Sequence, residues 1–212
     1  MIEDYRNTPY CPKLHDLKQK KAEVRDQIAK DHPHASDMHT YISKNEEPYK
    51  QAFMNAYNYK CAYCGVSIAI IPKHSFEIDH VIYEKSKRFG GSKAKAGYID
   101  NLVLACHNCN HLKGSLEYPD SMLPYVHPDS PQIAESYVRD EAYYIRVSAK
   151  MINNPVIVEF YNRLQLGSNL RRIDYLLMSM EGLKERIANN PQAYQMMQKS
   201  IDLLRKKRNV IG

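Results

Sequence analysis

The sequence predicts an α+β protein, mainly helical, in which a small metal-stapled module of mixed structure is flanked by helices on both sides. Three observations carry this. Apolar residues recur at helical spacing near both ends of the chain, two β-branched and aromatic-rich stretches lie together in the middle, and four of the five cysteines fall into two C-x-x-C pairs, Cys61/Cys64 and Cys106/Cys109, around those stretches.

In chain order, "KLHDLKQKKAEVRDQIAKDH" places Leu14, Leu17, Val24 and Ile28 near helical spacing and stops at His32-Pro33, where proline ends the pattern. A second helix is expected from about Pro48, with Phe53, Ala56 and Tyr57 on one side, and it delivers the chain into "YKCAYCG". Next, "VSIAII" and "SFEIDHVIY" have the content of two short strands, separated by Pro72 and Lys73. "EKSKRFGGSKAKAG" is too polar to pack and reads as a loop, after which helix resumes at the second C-x-x-C. "YPDSMLPYVHPDSP" holds four prolines in fourteen positions and reads as a connector. Beyond it Leu170, Ile173, Leu177, Met180 and Ile187 mark an apolar stripe, Asn190-Pro191 resembles a helix start, and a last helix is expected to run into "LLRKKRNVIG". The implied organisation is a helical region over 1–57, a metal-held core over 58–116 and a mainly helical region over 117–212.

Composition narrows the classes of function. The chain has 212 residues, 43% hydrophobic and 25% charged, which is ordinary for a globular protein, and no apolar run is long enough to span a bilayer. Its first residues, "MIEDYRNTPY", lack the basic-then-apolar order of a secretory signal, so a cytoplasmic protein without membrane contact is expected. The net charge is only +6, but it is concentrated: Glu84 to Tyr98 carries a net +4 and Arg171 to the end a net +5. Such patches attract polyanions, although each taken alone is better read as a solvated surface. Seventeen tyrosines accompany no tryptophan; Tyr143 and Tyr144 are read as core and rim residues rather than stacking platforms for bases.

Four thiolates from two C-x-x-C turns close a tetrahedral Zn²⁺ site, because each two-residue spacer turns both sulfurs toward one ion. With no open coordination position, such a zinc is structural. A thioredoxin-like redox site needs one pair and leaves the second unexplained. The fifth cysteine, Cys11, reads as an indifferent thiol. Forty-one residues separate Cys64 from Cys106, more than a minimal zinc ribbon needs, so something is inserted between the knuckles.

That insert holds Asp79-His80 at the end of a hydrophobic strand. A carboxylate suits a hard cation such as Mg²⁺, and a neutral imidazole is a proton acceptor near neutral pH. In a regular strand the two would face opposite ways, so a shared substrate requires the strand to bend or end at His80.

Cys61-x-x-Cys64, Asp79-His80, Asn101-Leu102 and Cys106-x-x-Cys109-Asn110-x-x-Lys113-Gly114 together resemble the HNH endonuclease family, in an HNN variant. The resemblance covers about residues 58 to 116 and implies a ββα-metal fold held by a four-cysteine zinc. It further implies that His80 is the general base, that Asp79 and Asn110 hold a catalytic Mg²⁺ or Mn²⁺, and that Asn101 braces the loop and orients the histidine. Lys113 is then a phosphate contact, as are Lys85, Lys87 and Arg88 of the basic loop, and DNA is the implied partner. His111 lies about 100° around the helix from Asn110 and cannot take its place; it reads, like His107, as a groove-facing or solvent residue. The tail phrase "EFY-x-x-L-x-L" resembles the C-terminal helices of HNH proteins from bacterial antiphage systems such as Septu and retron-associated nucleases, where a partner ATPase controls the nuclease. This chain has no G-x-x-x-x-G-K-[ST] loop of its own. The alternative is a zinc-knuckle module that binds nucleic acid or protein without catalysis, which has no need of Asp79-His80. The paired knuckles predict about one Zn²⁺ per chain, with Cys106→Ser losing both metal and fold; elemental analysis of the purified protein checks this.

Overall fold

The computed structural model describes residues 3–44 and 48–211. Helix α1 (Leu17–Asp31) buries Leu17, Lys21, Val24 and Ile28, which follow one another along a single helical face. It ends one residue before His32-Pro33, where the ring of Pro33 disfavours helical geometry at His32. The unexpected short α2 (Met38–Ile42) is capped by Asp37, whose carboxylate accepts from the His39 N–H at 3.1 Å and the Thr40 hydroxyl at 2.8 Å. Helix α3 (Pro48–Ala56) buries Phe53 and Ala56, and Tyr57 follows it into the core.

The central module is a hairpin with a helix on it. Strand β1 (Phe76–His80) pairs antiparallel with β2 (Leu102–Cys106), from Phe76↔Cys106 to His80↔Leu102, and α5 (His107–Lys113) packs against both. The connection from 81 to 101 is not a plain loop: it contains 3₁₀ turns at Lys87–Phe89 and Ile99–Asn101 and the single turn α4 (Lys93–Ala96).

One expected strand is absent. Residues 66–71 form turns, with Ser67 bridged only to Lys60. Zinc-knuckle geometry explains this: the Val66 carbonyl accepts from Cys61 N–H at 2.8 Å and Tyr59 O accepts from Ile68 N–H at 3.1 Å, so the backbone groups close a tight turn instead of a ladder. The true partner of β1 is "LVLAC", whose five residues are all buried. Its uninterrupted apolar character fits a covered strand but has no alternation to announce it.

Beyond α5 come α6 (Leu123–Val126), α7 (Ile133–Ser136), a small hairpin of β3 (Tyr137–Arg139) and β4 (Ile145–Val147), then α8 (Pro155–Arg163), α9 (Asn169–Arg186) and α10 (Pro191–Ile211). Strands of three residues are too short for a legible pattern. Tyr143 sits at the hairpin turn with a positive φ of 68° and Tyr144 on its rim. Helix α9 buries Ile173, Leu177 and Met178, with Leu170 and Met180 half-buried, and packs on α10. Asn190 caps α10 as read, its side-chain oxygen accepting from Ala193 N–H at 3.0 Å; Gly212 lies outside the described residues.

The proline-rich segment is clamped rather than free. Arg6 Nη1 donates to Ala62 O at 2.5 Å and Pro128 O at 2.8 Å, and Asp129 receives Lys21 Nζ at 2.5 Å and the Tyr57 hydroxyl at 2.8 Å. One continuous apolar core accordingly runs from Tyr5 through the hairpin to Ile201. Among the described residues no helix is long and apolar enough to cross a membrane.

Gly65 closes the first knuckle at φ +80°, and a Cβ there would stand 2.6 Å from the backbone oxygen of Arg6. Because backbone cannot swing aside, Gly65→Ala is expected to destabilise the fold by more than ~1 kcal/mol, read as a lower melting temperature.

Candidate active site and metal centre

The four cysteines arrive from two directions. Cys61 and Cys64 sit on the turn after Tyr57, which the Gly65 N–H closes onto Cys61 O at 2.9 Å and which Ala62 ties to β2 through Leu104 O at 2.7 Å. Cys106 ends β2 and Cys109 lies in the first turn of α5, so the antiparallel hairpin carries one pair to the other. All four are buried, and their sulfurs lie within 4.8 Å of one another. Cys64 and Cys106 Sγ are 3.9 Å apart, close to the ~3.8 Å edge of a tetrahedron with Zn–S bonds of ~2.3 Å. The donor set and spacing fit zinc.

On the same hairpin, β1 ends at His80, and the two adjacent side chains meet different partners. Asp79 is 6% exposed; its Oδ2 accepts from the Tyr63 hydroxyl at 2.6 Å and its Oδ1 lies 3.3 Å from Lys113 Nζ. Burial pushes its pKa up to about 6 although Lys113 and Tyr63 pull the other way. His80 is half-buried, with its ring centroid 4.5 Å from that of His39 on α2. Burial, with the neighbouring His39 ring adding to it, lowers its pKa to about 4, so it is a neutral proton acceptor at pH 7.

Asn101 holds the turn that follows. Its Oδ1 accepts from Ile82 N–H at 2.8 Å, its Nδ2 donates to Ile82 O at 3.0 Å and Ala96 O at 2.8 Å, and its backbone carbonyl takes Val81 N–H at 2.8 Å. These bonds fix the chain one and two residues after His80. Asn110, on α5, donates from Nδ2 to Glu77 Oε2 at 2.5 Å. Cys106 and Cys109, Asn101 and a helix carrying an asparagine over β1 thus belong to one ββα unit, against which the turn of Cys61 and Cys64 is set.

Residues 61–116 match the HNH endonuclease family model. The match runs from the first zinc-site cysteine to just past α5 and takes in the whole ββα unit. Searches of curated proteins and of solved structures find no match.

Within the HNH segment Lys113 does not point outward. It is 1% exposed and donates to His80 O at 2.8 Å and Gly114 O at 3.3 Å besides facing Asp79, so an expected phosphate contact is instead an internal countercharge. Helix spacing explains this: Lys113 and Asn110 are three apart, and that shared face is the one packed on β1. His111 is exposed and stacks on His107 at 5.8 Å, away from Asn110, as its helical angle requires. Lys85 and Lys87 are exposed, whereas Arg88 donates to Tyr118 O and pairs with Asp120 at 3.0 Å. Several basic residues of the tail are likewise engaged: Arg205 with Glu181 at 2.7 Å and Arg208 with Asp174 at 2.6 Å. The half-buried Cys11 thiol donates to Met178 O at 3.2 Å.

Sequence reasoning missed three residues. Glu77 shares a strand face with Asp79, and that alternation was the available signal. His39 had none. Arg171, on α9 and outside the HNH segment, is 4% exposed and reaches Cys64 Sγ at 3.4 Å, Cys109 Sγ at 3.2 Å and Cys106 Sγ at 3.8 Å. Burial works against its charge, but the surrounding sulfurs outweigh that and hold its pKa above the usual arginine value. The signal was a charged Arg171/Asp174 pair inside an apolar helical stripe. Replacing it by Arg171→Leu is expected to let a chelator take the zinc ~10–100-fold more readily, the range for losing an outer partner of a metal site; competition with a chromogenic chelator measures this.

Proposed function

We propose that the chain is a metal-dependent endonuclease that hydrolyses phosphodiester bonds in DNA, with a structural zinc holding the catalytic hairpin shut. The observation that carries this reading is the half-buried His80 at the end of β1, next in the chain to the buried Asp79 and followed directly by a turn, Val81 and Ile82, that Asn101 holds. A purely structural knuckle needs none of these three.

In this reading His80 accepts a proton from the attacking water through its ring nitrogen, which burial keeps unprotonated. Asn101 keeps the ring aimed by pinning Val81 and Ile82. Asp79 and Asn110 are the oxygen donors for a Mg²⁺ or Mn²⁺ ion. Two features support that fit: a buried carboxylate whose charge is only partly offset by Lys113, and an asparagine Oδ1 that accepts no hydrogen bond among the described residues. The ion, when bound, supplies Lewis-acid stabilisation of the phosphate and of the leaving 3′ oxygen, and the products carry 5′ phosphates. Lys85 and Lys87, exposed on the basic loop, are the backbone contacts that position DNA without reading sequence, whereas Arg88 is held by Tyr118 and Asp120.

The narrower reading, an antiphage effector under a partner ATPase, rests on the tail phrase. There Phe160, Leu164 and Leu166 are fully buried, so packing alone accounts for them.

Plasmid cleavage with Mg²⁺ or Mn²⁺ tests the proposal. His80→Ala should still bind DNA and Mn²⁺ but cleave at least ~10²-fold more slowly in single turnover. Asp79→Ala should bind Mn²⁺ more weakly as well. Full activity in His80→Ala removes the assignment of the base, and wild-type protein that binds DNA yet never cuts it favours a non-catalytic knuckle.

A further inference from the structure

Strand β1 presents two acidic side chains to α5, since Glu77 and Asp79 are two residues apart and share a face. They meet different parts of the helix. Asp79 faces Lys113, whereas Glu77 sits between His107 and Asn110: His107 Nδ1 is 2.7 Å from Oε1 and Asn110 Nδ2 donates to Oε2 at 2.5 Å. Both carboxylate oxygens of Glu77 are thus engaged from α5, Oε1 by the His107 ring and Oε2 by the Asn110 amide NH₂.

An ionised carboxylate only accepts hydrogen bonds, and an asparagine amide has donors on one side and its acceptor on the other. Glu77 can therefore engage only the NH₂ end of Asn110. Rotating the amide by half a turn would bring two oxygens together, so the carbonyl oxygen is held pointing away from Glu77. That oxygen is the end a hard cation needs, whereas the NH₂ end would repel it.

We infer that Glu77 is a positioning residue that locks the Asn110 amide with its carbonyl oxygen presented to the catalytic ion, and that His107 steadies Glu77 for this task. The inference rests on the reading of Asn110 as a ligand. Its size can be bounded. Two equally populated amide orientations alone would weaken ion binding only about twofold. Losing the charged hydrogen bond also removes pre-organisation and lowers the basicity of the ligand, and outer partners of this kind are worth ~10–100-fold in metal affinity.

The test uses the full, zinc-loaded chain without DNA and measures Mn²⁺ affinity from the free-ion electron paramagnetic resonance signal. The variants are Glu77→Gln, Glu77→Asp, Asn110→Ala and the double variant Glu77→Gln/Asn110→Ala, with zinc content and melting temperature followed in each. Glu77→Gln keeps the shape but loses the charge, and Glu77→Asp keeps the charge on a stem one methylene shorter. Both should weaken Mn²⁺ binding by ~10-fold or more with zinc and melting unchanged; the Glu77 side chain is 39% exposed, so the fold does not depend on it. The double variant should bind no more weakly than Asn110→Ala alone, because both changes act through one ligand. Unchanged affinity in both Glu77 variants, with Asn110→Ala weakened, overturns the positioning role and leaves Asn110 as ligand. Additive losses in the double variant overturn it too, since Glu77 would then touch the ion itself. Unchanged affinity in Asn110→Ala removes the ligand reading on which the inference stands.

Discussion

Four sulfurs within 4.8 Å of one another are the constraint on which the rest of this structure depends. A two-stranded hairpin joined through twenty-one residues is not stable by itself, because a pair of short strands buries too little and closing the loop costs entropy. A metal held by these cysteines, where the knuckle turn meets the start of α5, would supply that closure. Everything catalytic in the proposed reading hangs from the same hairpin: His80 ends one strand, Asn101 precedes the other, and Asn110 follows the last cysteine by one residue.

A zinc tetrathiolate carries net negative charge into a buried place, and burying charge without a partner is strongly unfavourable. Arg171 answers it from α9, and behind it Asp174 and Arg208 continue an alternation of sign out to α10. This chain of charges couples the C-terminal hairpin of helices to the HNH segment. The basic count of the tail therefore overstates what it offers to DNA, because part of that charge is spent inside the protein.

The side of the hairpin that carries Glu77 and Asp79 follows a related logic. Asp79 would be poorly solvated alone, so Tyr63 and Lys113 hold it; Glu77 two residues earlier is less buried and holds Asn110 instead. Strand alternation put both carboxylates on one face, and the helical positions opposite them gave each a different partner. The N-terminal region also reaches this site. Its α2 brings His39 against His80, and Gly97 permits the approach, since a Cβ there would stand 1.9 Å from Asp37 Oδ1.

Sequence alone determined what is local in the chain. The spacing of C-x-x-C pairs, the proline stop after α1, the cap at Asn190 and the ordered run from Asp79-His80 to Cys109-Asn110 are each fixed within a few residues, and the helix angle between Asn110 and His111 is set by backbone geometry alone. What spacing could not decide is what depends on elements distant in sequence. Residues 66–71 look like a strand, but a knuckle turn took their backbone groups; "LVLAC" pairs with β1 because both of its faces are covered; Lys113 turned inward because its helical face is the packed one. Arg171 meets cysteines sixty-two to one hundred and seven residues away, a contact no periodicity encodes. Only the tertiary structure decides which charges are buried, and burial is what makes a charge choose its partner.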